Sequence, residues 1–287
     1  QSYENVKLEF EKNNFRLDDC YANIWIDETF QIRWKKYEES KFIIKYKDIK
    51  FTKYSSDGKL SKQPFITEWI QDEFIRKYNE MEVICPPNIC KENVFNLWNG
   101  CSSSHFEQIN SKEVIEDFEF IKNHILKIFN ENEEYANILY TFIGSILQNP
   151  SIKIPILPII ISEEGVGKSF IRQLIDVLIG NTYTFSTSKP SKHLFDDFND
   201  ILENKIFGCF EEFPQELYDT YNSELKDLIT NESFSLHCKF KSIVPKINQL
   251  NFLALTNNDI KLKSGNRRLW IYKNSKFHII SPSKWLS

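Results

Sequence analysis

Residues Ile154-Pro-Ile-Leu-Pro-Ile-Ile-Ile161 form an apolar run with no charge in it. The run breaks at Ser162 into a short polar loop, Glu163-Glu164-Gly165-Val166-Gly167, closed by Lys168 and Ser169. Immediately beyond, Phe170, Ile171, Leu174, Ile175 and Leu178 recur at helical spacing. Pro155 and Pro158 lie early in the run, so Ile159 to Ile161 is the secure part of a buried strand. Gly180 is expected to end the helix as a left-handed cap. A strand of this kind, feeding a helix through a glycine loop, directs the chain toward an α/β fold.

The loop has its own chemistry. Gly165 and Gly167 let the backbone curl so that its N–H groups face inward on phosphate oxygens, and the helix dipole adds to that field. Gly165, Val166, Gly167, Lys168, Ser169 and Phe170 make up the expected nucleotide cradle. Lys168 is placed to reach β and γ phosphates, and the Ser169 hydroxyl is the expected Mg²⁺ ligand. The strict pattern has Gly where this chain has Ser162. Glu163 and Glu164 add negative charge beside the cradle and are expected to face solvent. The competing reading is a chance Gly-x-Gly-Lys-Ser in an ordinary loop; the strand before and the helix after weigh against it.

The 287 residues suit about two domains of roughly 150 each. With 41% hydrophobic and 15% aromatic residues there is material for real cores. The formal charge of −4 means that any nucleic-acid contact must come from a local basic feature. No basic-then-apolar leader and no apolar run near ~18 residues is visible, so neither a secretory signal nor a membrane span is expected. Cys20, Cys85, Cys90, Cys101, Cys209 and Cys238 read as reduced thiols of an intracellular protein. A chain beginning at Gln1 reads as a segment of a longer protein or a processed form.

Up to about residue 60, aromatic and β-branched residues alternate. Ala22–Ile26 and Phe42–Tyr46 read as strands. Arg33, Trp34, Lys35, Lys36 and Tyr37 could stack on and neutralise a single strand, although a sheet with one buried and one solvated face explains them more simply. Residues 65–80 have helical period through Phe65, Trp69, Ile70, Phe74, Ile75 and Tyr78. Cys85, Cys90, Cys101 and His105 have tolerable zinc spacing, but Pro86 and Pro87 mark an extended loop. Val114, Phe118, Ile121, Ile125 and Ile128 predict one amphipathic helix. Ala136, Leu139, Tyr140, Ile143 and Ile146 predict a second, ended by Asn149-Pro150. Ser191 is the expected N-cap of a helix around Leu194, Phe195 and Phe198.

About 45 residues past the glycine loop, Lys205-Ile-Phe-Gly-Cys-Phe210 ends in Glu211 and Glu212. In an ATPase the first carboxylate would hold Mg²⁺ through water and the second would activate the attacking water. A helix near 223–230 carries Lys226. A hairpin over 233–245 carries Lys239 and Lys241 on one face. His237 beside them reads as structural. Asn251–Thr256 is a third core strand, ending in Asn257 and Asn258, which either orient a water or serve a turn. Arg267 and Arg268 precede a last strand, either as a surface pair or as a clamp on phosphate.

This order of glycine loop, paired glutamates, Lys-x-Lys hairpin, Thr-Asn-Asn and Arg-Arg resembles the superfamily 3 helicases. These are hexameric AAA+ motors of small DNA viruses, poxvirus-type primase-helicases and related plasmids and phages. Upstream, Phe65-Ile-Thr-Glu-Trp69 and Val94–Gly100 look like the segment ahead of the ATPase in phage and virus primase-helicases. The resemblance implies an AAA+ P-loop core with a central parallel sheet over 151–287. A helical neck at 106–150 and a small α+β N-terminal region at 1–105 would precede it. It implies ATP and Mg²⁺, with Glu212 as catalytic base and Asn257 (or Asn258) as sensor amide. Lys226, Lys239 and Lys241 would grip DNA, and Arg267 (or Arg268) would be a finger acting on a neighbour's nucleotide. The implied partners are single-stranded DNA at a replication fork, further copies in a homo-hexamer, and a primase or origin-binding domain upstream. The rival readings are a P-loop ATPase that packages DNA or remodels protein, and a non-hydrolysing DNA-binding scaffold.

Overall fold

The computed structural model describes residues 1–54, 58–107, 111–239, 242–262 and 266–274. Its contacts fall into two compact units. One comprises Gln1–Ile84 with Asn88–Asn99; the other comprises Cys85–Pro87 with the chain from Gly100 onward.

The first unit runs α1 (Tyr3–Glu11), β1 (Asn14–Arg16), β2 (Tyr21–Ile26), β3 (Ile32–Tyr37), α2 (Glu39–Tyr46), β4 (Lys50–Tyr54), β5 (Leu60–Pro64), α3 (Phe65–Gln71), β6 (Glu80–Glu82) and β7 (Val94–Asn96). Strands β1, β2 and β3 form an antiparallel meander. Its core is aromatic: Phe10 meets Trp69 at 5.0 Å between ring centroids, and Tyr21 stacks on Phe42 at 4.8 Å. Two expectations fail here. Residues 42–46 are helical, because Phe42, Ile43 and Tyr46 sit at i, i+1 and i+4 and turn together into this core. The helix at 65 stops at Gln71. There the Asp72 carboxylate accepts from Lys7 Nζ, the Tyr3 hydroxyl and the Phe74 N–H, which draws the chain into an extended turn and leaves Phe74 85% exposed. Those bonds, the one from Lys7 foremost, hold the Asp72 carboxyl down at about 2.

The second unit contains α4 (Lys112–Ile128), α5 (Glu133–Gln148), β8 (Leu157–Ile161), α6 (Lys168–Ile179), β9 (Thr184–Thr187), α7 (Pro190–Leu194), β10 (Phe207–Phe210), α8 (Gln215–Thr220), α9 (Asn222–Thr230), β11 (Ser233–Leu236), β12 (Val244–Ile247), β13 (Asn251–Thr256) and β14 (Leu269–Lys273). Five strands make one sheet in the order β14-β8-β13-β10-β9, and every neighbouring pair is parallel. Strands β8, β10 and β13 are buried along their whole length, as their continuous apolar sequence requires. The antiparallel pair β11–β12 stands outside this sheet.

Local departures have local causes. Val114 and Phe118 of α4 are 43% and 61% exposed, because burial on this helix begins only at His124, Ile125 and Ile128. Gly180 caps α6 at φ 110° and ψ 132°, a positive φ outside the left-handed helical well, while its N–H still bonds Asp176 O at 2.8 Å. Helix α7 begins at Pro190, whose ring presets the first turn, so Ser191 lies inside the helix and not at its cap. Helix α8 follows Pro214 and had no periodic signal of its own.

Gly208 lies between Phe185 on β9 and Phe252 on β13, directly opposite both. A Cβ there would fall 2.5 Å from the Phe185 ring and 3.0 Å from Phe252. Gly208→Ala is expected to destabilise this unit by about 1–3 kcal/mol through overpacking. A lowered thermal midpoint for the variant checks this; an unchanged midpoint would show that the rings yield freely.

Candidate functional site

Because the five strands are parallel, their carboxyl ends share one edge of the sheet, and β8 opens between β14 and β13. Crevices outside the carboxyl ends of such strands are where open α/β sheets bind ligands. The loop after β8 crosses this edge. Ser162 is buried, and its N–H donates to Thr256 O at 3.2 Å. The chain then turns through Gly165 (φ 82°) and Gly167 (φ 89°), a region that side chains with a Cβ avoid. Gly165 has open space around it, so its need is conformational only. At Gly167 a Cβ would also meet the His124 ring at 2.6 Å. Helix α6 starts at Lys168 with no side-chain cap, so the N–H groups of its first turn face the loop.

The Lys168 ammonium turns inward. It donates to Ser162 O (2.6 Å), Ser162 Oγ (2.7 Å), Glu163 O (3.0 Å) and Asn257 Oδ1 (2.7 Å). All four acceptors are neutral. Burial pulls its pKa down to about 8, against the opposing pull of the Glu212 and Glu164 carboxylates. The neighbouring amide has a different partner: Asn258 Nδ2 lies 3.5 Å from Glu212 Oε2, and its backbone N–H bonds Thr256 Oγ1. The two asparagines that sequence left as alternatives thus divide between the lysine and the second glutamate. Glu211 is fixed by its N–H to Thr187 O at 2.9 Å, and its carboxylate lies 3.1 Å from Arg172 Nε on α6.

Lys168, Asn257, Asn258 and Glu212 are therefore linked at one edge, with Glu211 at the end of the adjacent strand. Ser169 is exposed on the first turn of α6, Val166 is buried, and the Phe170 ring meets His124 edge-on at 5.1 Å. The oxygen donors at hand, a hydroxyl and a carboxylate, are those that suit Mg²⁺. Burial of His124 lowers its pKa, with Gly167 backbone bonding opposing.

Other candidates lie elsewhere. Arg268 O accepts from Leu157 N at the amino end of β8, which puts Arg267 and Arg268 at the opposite edge. At about 3.3 Å per residue the length of β8, some 15 Å, separates them from the glycine loop. Arg267 is exposed. Lys226 is half-buried on α9, and Lys239 is exposed just beyond β11. Lys241 lies outside the described residues. Asn199 pins the start of this hairpin loop, accepting from His237 N at 2.7 Å and donating to His237 O at 3.1 Å, which gives His237 a structural place. All six cysteines are free. Burial raises the Cys85 thiol and pushes that of Cys101 up to about 11. Among the described residues, no three His, Cys, Asp or Glu side chains converge to hold a metal.

Four contributing residues were not anticipated. Ser162, seen in the sequence as a departure from pattern, supplies two of the acceptors of Lys168. Arg172 and Asp176 were legible only as an i, i+4 pair on α6, and His124 carried no signal at all.

A family of unknown function (DUF5906) matches residues 160–268, the span that runs from β8 to Arg268. Among solved structures, the apo structure of the NrS-1 C terminal region (305–718) aligns with a TM-score of 0.60 at 16% identity. It covers 88% of this chain and 59% of that one. The A form apo structure of the same region gives 0.60 at 17%, over 88% and 58%. At such identities the likeness is one of fold. The chain spans less than two thirds of the length of these neighbours. No curated protein matches the sequence.

A lysine whose pKa is drawn down to about 8 must take up a proton to hold an anion once the pH exceeds that value. Binding of inorganic triphosphate is expected to be strongest below pH 8 and to weaken steadily between pH 8 and 9.5. In Lys168→Ala it should be weak and flat across the same window. Calorimetric titration at a series of pH values checks this, and a flat wild-type profile would exclude Lys168 as the anion's partner.

Proposed function

We propose that this chain carries a Mg²⁺-dependent ATPase motor of the superfamily 3 helicase type, an AAA+ P-loop domain that moves along single-stranded DNA during replication of a virus or mobile element. The observation that carries this reading is the division of its charged groups across one parallel sheet. The phosphate lysine, the amides and the paired carboxylates gather at the carboxyl edge, while Arg267 stands at the amino edge. An arginine in that position is out of reach of its own glycine loop, so it serves a neighbouring copy, and a ring of such copies follows.

The residues present fit the nucleotide and its metal. Two glycines in the left-handed region expose the loop's N–H groups, and an uncapped helix start faces them. Mg²⁺, when bound, supplies positive charge to the β and γ phosphates. Lys168 exchanges its neutral acceptors for phosphate oxygens. Ser169 and Glu211 offer the metal oxygens. Glu212, held by Asn258, takes the proton of the attacking water, and Asn257, released by Lys168, is free to orient that water. Lys239 on its hairpin loop meets DNA phosphates, with Lys226 and Lys241 as its expected companions. A primase or origin-binding partner belongs to the same proposal. Among the described residues, no helix is long and apolar enough to cross a membrane. A packaging or remodelling ATPase would share the cradle and the finger; binding of single-stranded DNA through Lys239 separates the two.

Arg267→Ala is expected to bind ATP and to lose about 10³–10⁵ in hydrolysis rate. Mixing it with Lys168→Ala should restore part of the activity, because some interfaces then pair an intact loop with an intact arginine. A mixture that assembles and stays inactive would remove the trans arginine from the scheme. Glu212→Gln should bind ATP normally and hydrolyse it very slowly; lost binding would mean that the roles of the two glutamates are reversed. Lys239→Ala should flatten the salt dependence of single-stranded DNA binding by about 0.7 in log–log slope, and an unchanged slope would make the lysine a solvated bystander.

A further inference from the structure

Arg172 is one turn beyond Lys168 and three residues beyond Ser169, so it shares their face of α6. Its guanidinium is shared between two carboxylates. Nε lies 3.1 Å from Glu211 Oε1, and Nη1 pairs with Asp176 Oδ2. Neither end is fully made. The Glu211 contact places the charges together, yet Arg172 Nε is buried without an aligned hydrogen bond. Asp176 has only 11% of its side chain exposed, and its second oxygen, Oδ1, is buried with no hydrogen-bond partner. A buried carboxylate oxygen in that condition is costly, and a guanidinium is built to serve both oxygens of one carboxylate at once. One movement completes both ends: the fork leaves Glu211 and closes on Asp176.

We propose that Arg172 is a two-position counter-ion for Glu211, holding its carboxylate when no divalent cation is bound and withdrawing onto Asp176 when one arrives. This rests on the reading of Glu211 as the metal-side carboxylate and adds to it a positioning residue that governs how tightly the cation is held. The cation competes with a charge already in place, so its affinity is set below what Ser169 and Glu211 alone would give. Asp176 matters as the second seat: without it, Arg172 stays on Glu211.

The test uses the whole chain with a non-hydrolysable ATP analogue and Mn²⁺ as the probe, read by electron paramagnetic resonance. Removing both charges, in Arg172→Met with Asp176→Asn, leaves no buried charge unpaired and should tighten Mn²⁺ binding about fivefold, the scale of a partly exposed ion pair. Asp176→Asn alone should weaken it by a similar factor, because the guanidinium then has only Glu211. Arg172→Lys should remain near wild type. Binding of the analogue in the presence of a chelator should be equal in all four proteins, which also shows that each is folded. Opposite signs for the double and single variants support the two-position role. Weaker Mn²⁺ binding in both, or no change in either, overturns it and makes Arg172 a structural tie. If the wild type binds the analogue but no Mn²⁺, the metal role of Glu211 fails and this inference with it. If it binds neither, the proposed function itself is wrong.

Discussion

A half-buried ammonium held only by neutral dipoles is the constraint around which this site is arranged. Lys168 gathers the carbonyl and hydroxyl of Ser162, the carbonyl of Glu163 and the amide oxygen of Asn257, and so ties the end of β8 to the end of β13. No carboxylate compensates it directly, and burial has already drawn its pKa to about 8. A buried ammonium in that condition attracts any anion that can reach it. The glycines, the uncapped helix start and the nearby carboxylates make sense relative to that unspent affinity.

The parallel sheet gives the arrangement its polarity. With five strands pointing one way, groups at strand ends meet, and groups at strand starts are kept a strand's length away. That geometry separates Arg267 from Lys168 in one copy. It also puts the loop from β12 into β13 at the edge opposite the glycine loop, since β12 leads directly into the amino end of β13.

Sequence was most informative where a residue's neighbours along the chain are also its neighbours in space. The buried strand, glycine loop and amphipathic helix at 154–179 are contiguous, so their pattern could be read directly. The strands ending in Glu211 and in Asn257 were legible for the same reason. Short amphipathic segments were harder: Phe42–Tyr46 has apolar residues compatible with either period, and only the aromatic core around Phe10 and Trp69 decides for the helix. The stop at Gln71 depends on Lys7 and Tyr3, far off in the chain and invisible to any local pattern. Ser162 illustrates a third case. It breaks the expected glycine pattern, and only its contacts show that the replacement takes part in holding the lysine.

The placement of β8 has a consequence for how this unit is made. Both of its sheet neighbours, β13 and β14, come from residues 251–273, close to a hundred or more positions later. During synthesis its five apolar residues and the loop beyond them emerge long before any strand can flank them. The contacts that enclose β8 are among the most sequence-distant in the unit, and distant pairings form slowly. The strand that leads into the glycine loop is thus the part of the sheet that stays unpaired longest on the ribosome. A nascent chain arrested before residue 251 would present an uncovered sticky strand to whatever chaperones attend it.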